Sequence, residues 1–170
     1  DQARKLNGVR DGMRGAYLGP AFEQGEIEQR LAGVGAVFDV LSEDDMIAST
    51  VDALTEEKAV GWFQGRMEFG PRALGGRSIL GDARSPTMQR TLNLKVKYRE
   101  SFRPFAPSVL REAVADWFEL DEDSPYMLLV ADVVDHRRRL MNQDEQALFG
   151  IDKLNVPRSQ IPAVTHVDYS

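Results

Sequence analysis

Apolar positions along the chain follow two rhythms: a helical spacing of three or four in some stretches, and short unbroken runs in others. Between Phe22 and Ala32, the side chains of Phe22, Ile27 and Leu31 fall on one face, which predicts a short helix stopped by Gly33. Val34 to Val40 reads as a strand. Ser42 stands three residues ahead of Asp45, a variant of the capping box, and the helix it opens should run to about Glu57. Met46, Ile47, Val51 and Leu54 should turn inward along it. Lys58 to Phe63 is a short β-prone run, and Arg77 to Leu80 is a second candidate strand. Ser85-Pro86 pairs a cap hydroxyl with proline at the first helical position, and the helix beyond should carry Met88, Leu92 and Val96 to the core. Prolines frame the start of an extended Phe105 to Leu110, and Arg111 to Phe118 is helical by pattern. Tyr126 to Val134 reads as a hydrophobic strand, and Ile161 to Val167 as a final one. The polar, uneven stretch between them, from His136 to Pro157, reads as a mobile excursion. Alternating strands and helices place the chain in the α/β (α+β) class, as an open mixed sheet flanked by helices. Residues 1–20, which end at Gly19-Pro20, read as an arm or linker ahead of one domain over 21–170.

Composition narrows the function classes. The chain has 170 residues, 42% of them hydrophobic and 28% charged, a balance that excludes disordered, collagenous and coiled-coil chains. There is no cysteine, which removes disulfides, thiol catalysis and cysteine-ligated metals. The only histidines, His136 and His166, lie thirty positions apart, so a metal site is not expected. No apolar run approaches the ~20 residues of a membrane span. The opening Asp1-Gln2-Ala3-Arg4-Lys5 has neither a methionine nor a signal-peptide core, and it reads as a piece of a longer soluble, cytoplasmic chain. The net charge of −6 disfavours a uniformly basic nucleic-acid or membrane binder. That charge is unevenly spread, however. Gly61 to Arg111 holds ten basic residues against three acidic, a net +7 that leaves −13 for the remainder. A basic centre in an acidic chain marks a local anion site.

Two strings carry that basic charge. The first, Gly65-Arg66-Met67-Glu68-Phe69-Gly70-Pro71-Arg72-Ala73-Leu74-Gly75-Gly76-Arg77-Ser78, combines glycines that let backbone approach a ligand with arginine forks suited to phosphate or carboxylate. It is not a P-loop, because no Gly-Lys-Ser/Thr element follows four spacers. A phosphate cradle competes here with a solvated surface loop, and Glu68 is either an orienting partner of Arg66 or Arg72 or a structural ion pair. The second string runs from Asn93 to Pro107. Lys95 there reads as a helix-end charge. Arg103, framed by Phe102 and Pro104, reads as an anion contact, since an arginine pinned in apolar surroundings is costly without a partner. His166 beside Asp168 is either an acid–base or metal pair or, more commonly, a structural histidine. His136 beside Arg137-Arg138-Arg139 is either a solvated basic turn or a cover over a polyphosphate.

The strings Gly65 to Gly75 with Arg77-Ser78-Ile79-Leu80, Lys97-Tyr98-Arg99-Glu100, Phe102-Arg103-Pro104-Phe105-Ala106-Pro107 and Pro162-Ala163-Val164-Thr165-His166-Val167-Asp168 closely resemble, in this order, the C-terminal domain of the O-carbamoyltransferases of nodulation-factor and antibiotic carbamoylation. The resemblance runs from about Tyr17 to the end. Gly76 departs from it, since many relatives carry asparagine there. The resemblance implies a YrdC-like domain joined to an N-terminal Kae1-like domain of the same polypeptide. It implies that this part binds ATP, with Mg2+, and carbamoyl phosphate as co-substrate, and makes carbamoyl-adenylate with release of phosphate and pyrophosphate. The N-terminal domain would then pass the carbamoyl group to a substrate hydroxyl. It ranks Arg72, Lys97 and Arg103 first as substrate contacts, with Lys97 and Arg103 catalytic, and adds Arg66, Arg77, Ser78 and His166 as further binding candidates. Competing expectations are an RNA-binding module and an inert fragment that needs its partner domain.

Overall fold

Local capping chemistry decides where the longer helices begin. The structure, a computed structural model, describes residues 11–170, so the first ten residues of the expected arm lie outside the described residues. Helix α1 spans Gln24–Gly33 and has no side-chain cap. It is supported by surface pairs one turn apart, with Arg30 donating to the Glu26 carboxylate at 2.7 Å and Gln24 Nε2 donating to Glu28 at 3.0 Å. Helix α2 spans Glu43–Thr55. Ser42 Oγ accepts from Asp45 N at 3.2 Å and donates to the Asp45 carboxylate at 2.7 Å, so serine and aspartate close the first turn upon each other.

Strands β1 (Val60–Phe63) and β2 (Arg77–Leu80) pair as an antiparallel two-stranded sheet. The ladder continues one step past their ends, where Gln64 N donates to Gly76 O at 2.9 Å. Helix α3 (Met88–Thr91) widens into a π turn over Leu92–Val96. One-turn helices follow: α4 (Val114–Trp117), α5 (Gln143–Ala147) and α6 (Ile151–Leu154). Helices with a small sheet make a mixed α/β fold, the class expected from the alternation of patterns. No helix among the described residues is long and apolar enough to cross a membrane.

The chain divides into two compact units. The first runs up to Val40 and takes in Trp62–Ser78; the second holds Leu41–Gly61 and Ile79–Ser170. In the second, Met88 and Leu92 lie one turn apart on the same helical face and bury with Ala163, while Val96 and Phe105 pack against them. The inward set expected for this helix is therefore the core.

Several expected strands are absent. Val34 to Val40, Tyr126 to Val134 and Ile161 to Val167 form no strand, and Phe105 to Leu110 runs without sheet partners. An apolar run becomes a strand only where a neighbour takes up its backbone donors and acceptors. Within Tyr126 to Val134 such neighbours are found only at its end, where Asp132 O accepts from Glu119 N, Val134 N donates to Trp117 O and Val133 bridges to Phe118, and Met127 takes a left-handed φ of +52°. Polar side chains turn the last segment, where Thr165 Oγ1 donates back to Ile161 O at 3.0 Å and meets Ser159 Oγ at 2.7 Å. The polar stretch from His136 to Pro157 carries α5 and α6. Asn142 and Glu145 form a reciprocal capping box at the start of α5.

Leu92→Ala should destabilise the protein by about 2–4 kcal/mol, because the buried leucine leaves a cavity in a small core. Val37→Ala, at a fully exposed position, should stay within about 0.5 kcal/mol. Urea denaturation of the two variants checks the difference.

Candidate functional site

The glycine-rich loop of the first unit is built around one carboxylate. Glu68 is buried. Its Oε1 accepts from Leu74 N at 2.8 Å and Gly76 N at 2.6 Å, tying the far limb of the loop back to its start. Its Oε2 lies 3.3 Å from Arg77 Nε and makes no hydrogen bond. Arg77 spans the same loop, donating from Nη2 to Gly70 O and, at 3.4 Å, to Arg72 O. Tyr17 Oη donates to Leu74 O at 3.0 Å, and Gly75 N donates to Ser78 Oγ at 3.2 Å. Backbone bonds from Gly19 N to Met67 O, Met67 N to Pro20 O and Phe69 N to Ala16 O lace the loop to the segment before α1. Gly75 has φ +112°, open only to glycine at low cost. A Cβ at Gly76 would stand 2.7 Å from the Tyr17 ring, so a side chain there has no room until Tyr17 shifts.

This geometry sorts the predicted residues of the first unit. Arg77 is held by Glu68 and two carbonyls, and Ser78 Oγ accepts from Gly75 N; both shape the loop. Arg66 donates to Gly19 O at 2.8 Å. Arg72 is exposed, and among the described residues no hydrogen bond or ion pair engages its guanidinium. Of the two readings left open for Glu68, the structure favours the structural ion pair, with Arg77 as its partner and neither Arg66 nor Arg72.

In the second unit, the turn after the π segment is tied to a fully buried amide. Asn93 Nδ2 donates to Ser101 O at 3.0 Å and Arg103 O at 2.9 Å, while its Oδ1 accepts from Arg99 Nε at 2.6 Å. Lys97 is exposed at the end of that segment and its ammonium engages nothing among the described residues. Arg103 differs from the expectation that an apolar frame pins it. Its side chain is 55% exposed, and its Nε donates to Glu100 at 3.2 Å. The neighbouring aromatic and proline rings leave the guanidinium in water, where no desolvation cost demands a ligand.

A cleft of about 220 Å³ in this unit is lined by Gln89, Phe102, Pro104, Arg158, Thr165 and His166, with Asp168 at its side. Ser170 Oγ lies 3.3 Å from His166 Nδ1 and donates to Asp168 at 2.8 Å. The serine thus separates imidazole from carboxylate, the reverse of the order a hydrolytic triad needs. The Ser170 hydroxyl, followed by its amide, holds the Asp168 carboxyl below the usual range. The three arginines of the basic turn after His136 are engaged by neighbouring side chains. Arg137 stacks on Trp117 at 3.7 Å, Arg138 pairs with Asp132, Asp135 and Glu119, and Arg139 pairs with Glu145.

Sequence reasoning did not single out Asn93, Tyr17 or Arg158. Arg158 is buried and donates to the carbonyls of Lys153, Leu154 and Val156 at the end of α6. An asparagine or arginine in a mixed polar stretch carries no mark of burial. The one available signal was the spacing of Gln89 and Asn93, one helical turn apart, both of which donate to Arg103 O.

Burial, and after it the Glu68 charge, raises the Tyr17 phenol above the ordinary tyrosine value. The fold therefore favours the neutral phenol. This stabilisation is complete below the unfolded value and is lost as pH rises through the folded one. An alkaline absorbance titration, with Tyr17→Phe to assign the step, should place the Tyr17 midpoint above the ordinary tyrosine value. Glu68→Gln should move that midpoint down; an unmoved midpoint would rule out the coupling.

The two strings described above fall within residues 51–170, which match the family model described as carbamoyltransferase C-terminus. The uncharacterized protein sll1178 of Synechocystis is 60% identical over 162 residues, covering 94% of this chain and 26% of that protein. Nodulation protein NolNO of Sinorhizobium fredii is 39% identical over 136 residues, 78% of this chain and 20% of its own length. The 3'-hydroxymethylcephem-O-carbamoyltransferase of Streptomyces clavuligerus is 37% identical over 123 residues, 72% of this chain and 19% of its own length. The chain thus spans about a quarter or less of these relatives, which are larger polypeptides. With the match covering most of its length, the chain belongs to the carbamoyltransferase C-terminus family.

Proposed function

We propose that this chain is the part of a larger carbamoyltransferase that binds carbamoyl phosphate and ATP and forms carbamoyl-adenylate. Another part of the polypeptide, a Kae1-like domain, then passes the carbamoyl group to a substrate hydroxyl. The observation that carries the reading is the division among the basic residues of the two strings. Arg77 is consumed by the loop it shapes, whereas Arg72 and Lys97 stand exposed with no partner for their charges among the described residues, the Arg72 carbonyl held by Arg77 and the Lys97 amide by Leu92 O. Charges presented on prepared backbone are what a polyanionic substrate requires, since their hydrogen bonds to phosphate need no rearrangement at the moment of reaction.

Arg103 is available to an anion at small cost. Its pair with Glu100 is exposed on both sides, and such pairs contribute only about 0–1 kcal/mol. A phosphate with two charges competes for the guanidinium and offers it a bidentate partner. Water cleaves carbamoyl phosphate into carbamate and phosphate, and a carbamate oxygen then attacks the α-phosphate of ATP, which gains negative charge as pyrophosphate leaves. Lys97 and Arg103 are the groups assigned to the phosphoryl group of carbamoyl phosphate, with His166 of the same unit as a further contact, while Arg66, Arg77 and Ser78 are taken up by the loop of the first unit. A carbamate nucleophile needs no enzyme nucleophile, which agrees with a chain without cysteine and with a serine placed wrongly for a triad. Among the described residues no group of three or more His, Asp or Glu side chains gathers as a metal site. Magnesium would therefore come with the phosphate oxygens of ATP.

In the full-length protein, Arg103→Ala should weaken carbamoyl phosphate binding by about 1–3 kcal/mol, the range for charge-assisted hydrogen bonds. Calorimetric titration measures it, and unchanged affinity in a folded variant removes Arg103 from the site. Arg72→Ala should act in the same direction. Steeply salt-dependent RNA binding without carbamoyl phosphate binding would replace the whole reading by a nucleic-acid module.

A further inference from the structure

Lys97 and Arg103 belong to one turn of the chain, and an uncharged residue sets the geometry of that turn. Asn93 is completely buried, yet its neighbours Met88, Leu92 and Val96 already supply the apolar packing. Both donors of its amide are aimed across the turn, at Ser101 O and Arg103 O. Its side-chain oxygen takes the Arg99 Nε, and its backbone oxygen takes the Arg99 N at 3.0 Å. Gln89, one helical turn earlier, adds weaker bonds to Phe102 O and Arg103 O. On the other side, Lys97 N donates to Leu92 O at 2.9 Å. The backbones of Lys97 and Arg103 therefore hang from adjacent residues, 92 and 93.

Two features show that the turn is held against its own preferences. Tyr98 takes φ +49°, a left-handed conformation that a large non-glycine side chain keeps only where its surroundings impose it. The helix widens into a π turn over Leu92–Val96, around Asn93 itself, a distortion frequent at functional positions. Arg99, oriented by Asn93, stacks on Phe105 with its guanidinium carbon 4.9 Å from the ring centre, so the clamp reaches the core.

We propose that Asn93 is a positioning residue. It sets the separation of the Lys97 and Arg103 backbones so that both side chains reach the same phosphate. The proposal rests on the assignment of those two cations to the phosphoryl group of carbamoyl phosphate. Asn93 touches no ligand and acts through the two carbonyls it holds.

The test uses the full-length protein unaltered, with Asn93→Ala and with Arg99→Lys. The lysine variant removes the Nε donor to Asn93 from a half-buried position, so the outcome does not hang on a change in the core being tolerated. Amide hydrogen exchange over residues 97–105 should quicken about tenfold in both variants while exchange over Met88–Leu92 stays unchanged. Calorimetry with carbamoyl phosphate should show affinity about tenfold weaker in both. Adding Arg103→Ala to Asn93→Ala should cost much less than adding it to the unaltered protein, because a displaced arginine has little contact left to lose. Unchanged exchange over 97–105, or an equal Arg103→Ala loss in both backgrounds, overturns the positioning role. If the unaltered protein binds no carbamoyl phosphate, the assignment of Lys97 and Arg103 fails, and the exchange measurement still decides whether Asn93 holds the turn.

Discussion

A polar group taken out of water must find partners inside the protein, and the loops that carry the cations of this chain are shaped by that requirement. In the first unit Glu68 is the group in question, and the nearest donors are the amides of Leu74 and Gly76. Satisfying the carboxylate folds the loop back on its origin. In the second unit Asn93 is buried beside the core, and its amide is satisfied only by carbonyls from the far side of the turn. In both places one internal side chain replaces the regular ladder that a helix or strand would have provided.

The same requirement explains why arginines close in sequence have different fates. Arg77 lies beside a buried carboxylate and is drawn into the loop; Arg138 is surrounded by three carboxylates and Arg137 by an indole face. Arg158 has no carboxylate, and its charge is met by carbonyl oxygens at the end of a short helix, where the backbone dipole favours a cation. Arg72 and Lys97 have none of these partners among the described residues. Their availability follows from what stands next to them in space, which a count of basic residues does not report.

Belonging to the carbamoyltransferase C-terminus family joins this chemistry to a reaction class. The relatives named above are several times longer than this chain, so the acceptor hydroxyl and its recognition belong to the proposal for the larger polypeptide. Within that proposal, the residues described here are assigned to the phosphate end of the reaction.

Local chemistry was legible in the residues themselves. The Ser42 cap, the inward stripe of Met88, Leu92 and Val96, and the basic centre between Gly61 and Arg111 all depend on neighbours close in the chain. The motif strings likewise sufficed to point to the family. Tertiary structure alone decided which apolar runs became strands, because Tyr126 to Val134 and Ile161 to Val167 lack a neighbouring strand that would make their pattern a sheet. It also decided that Arg103 stays in water, and that Asn93 and Glu68 go inside. Burial and hydrogen-bond partnership arise from contacts between positions far apart in the chain, and no spacing of residue types encodes them directly.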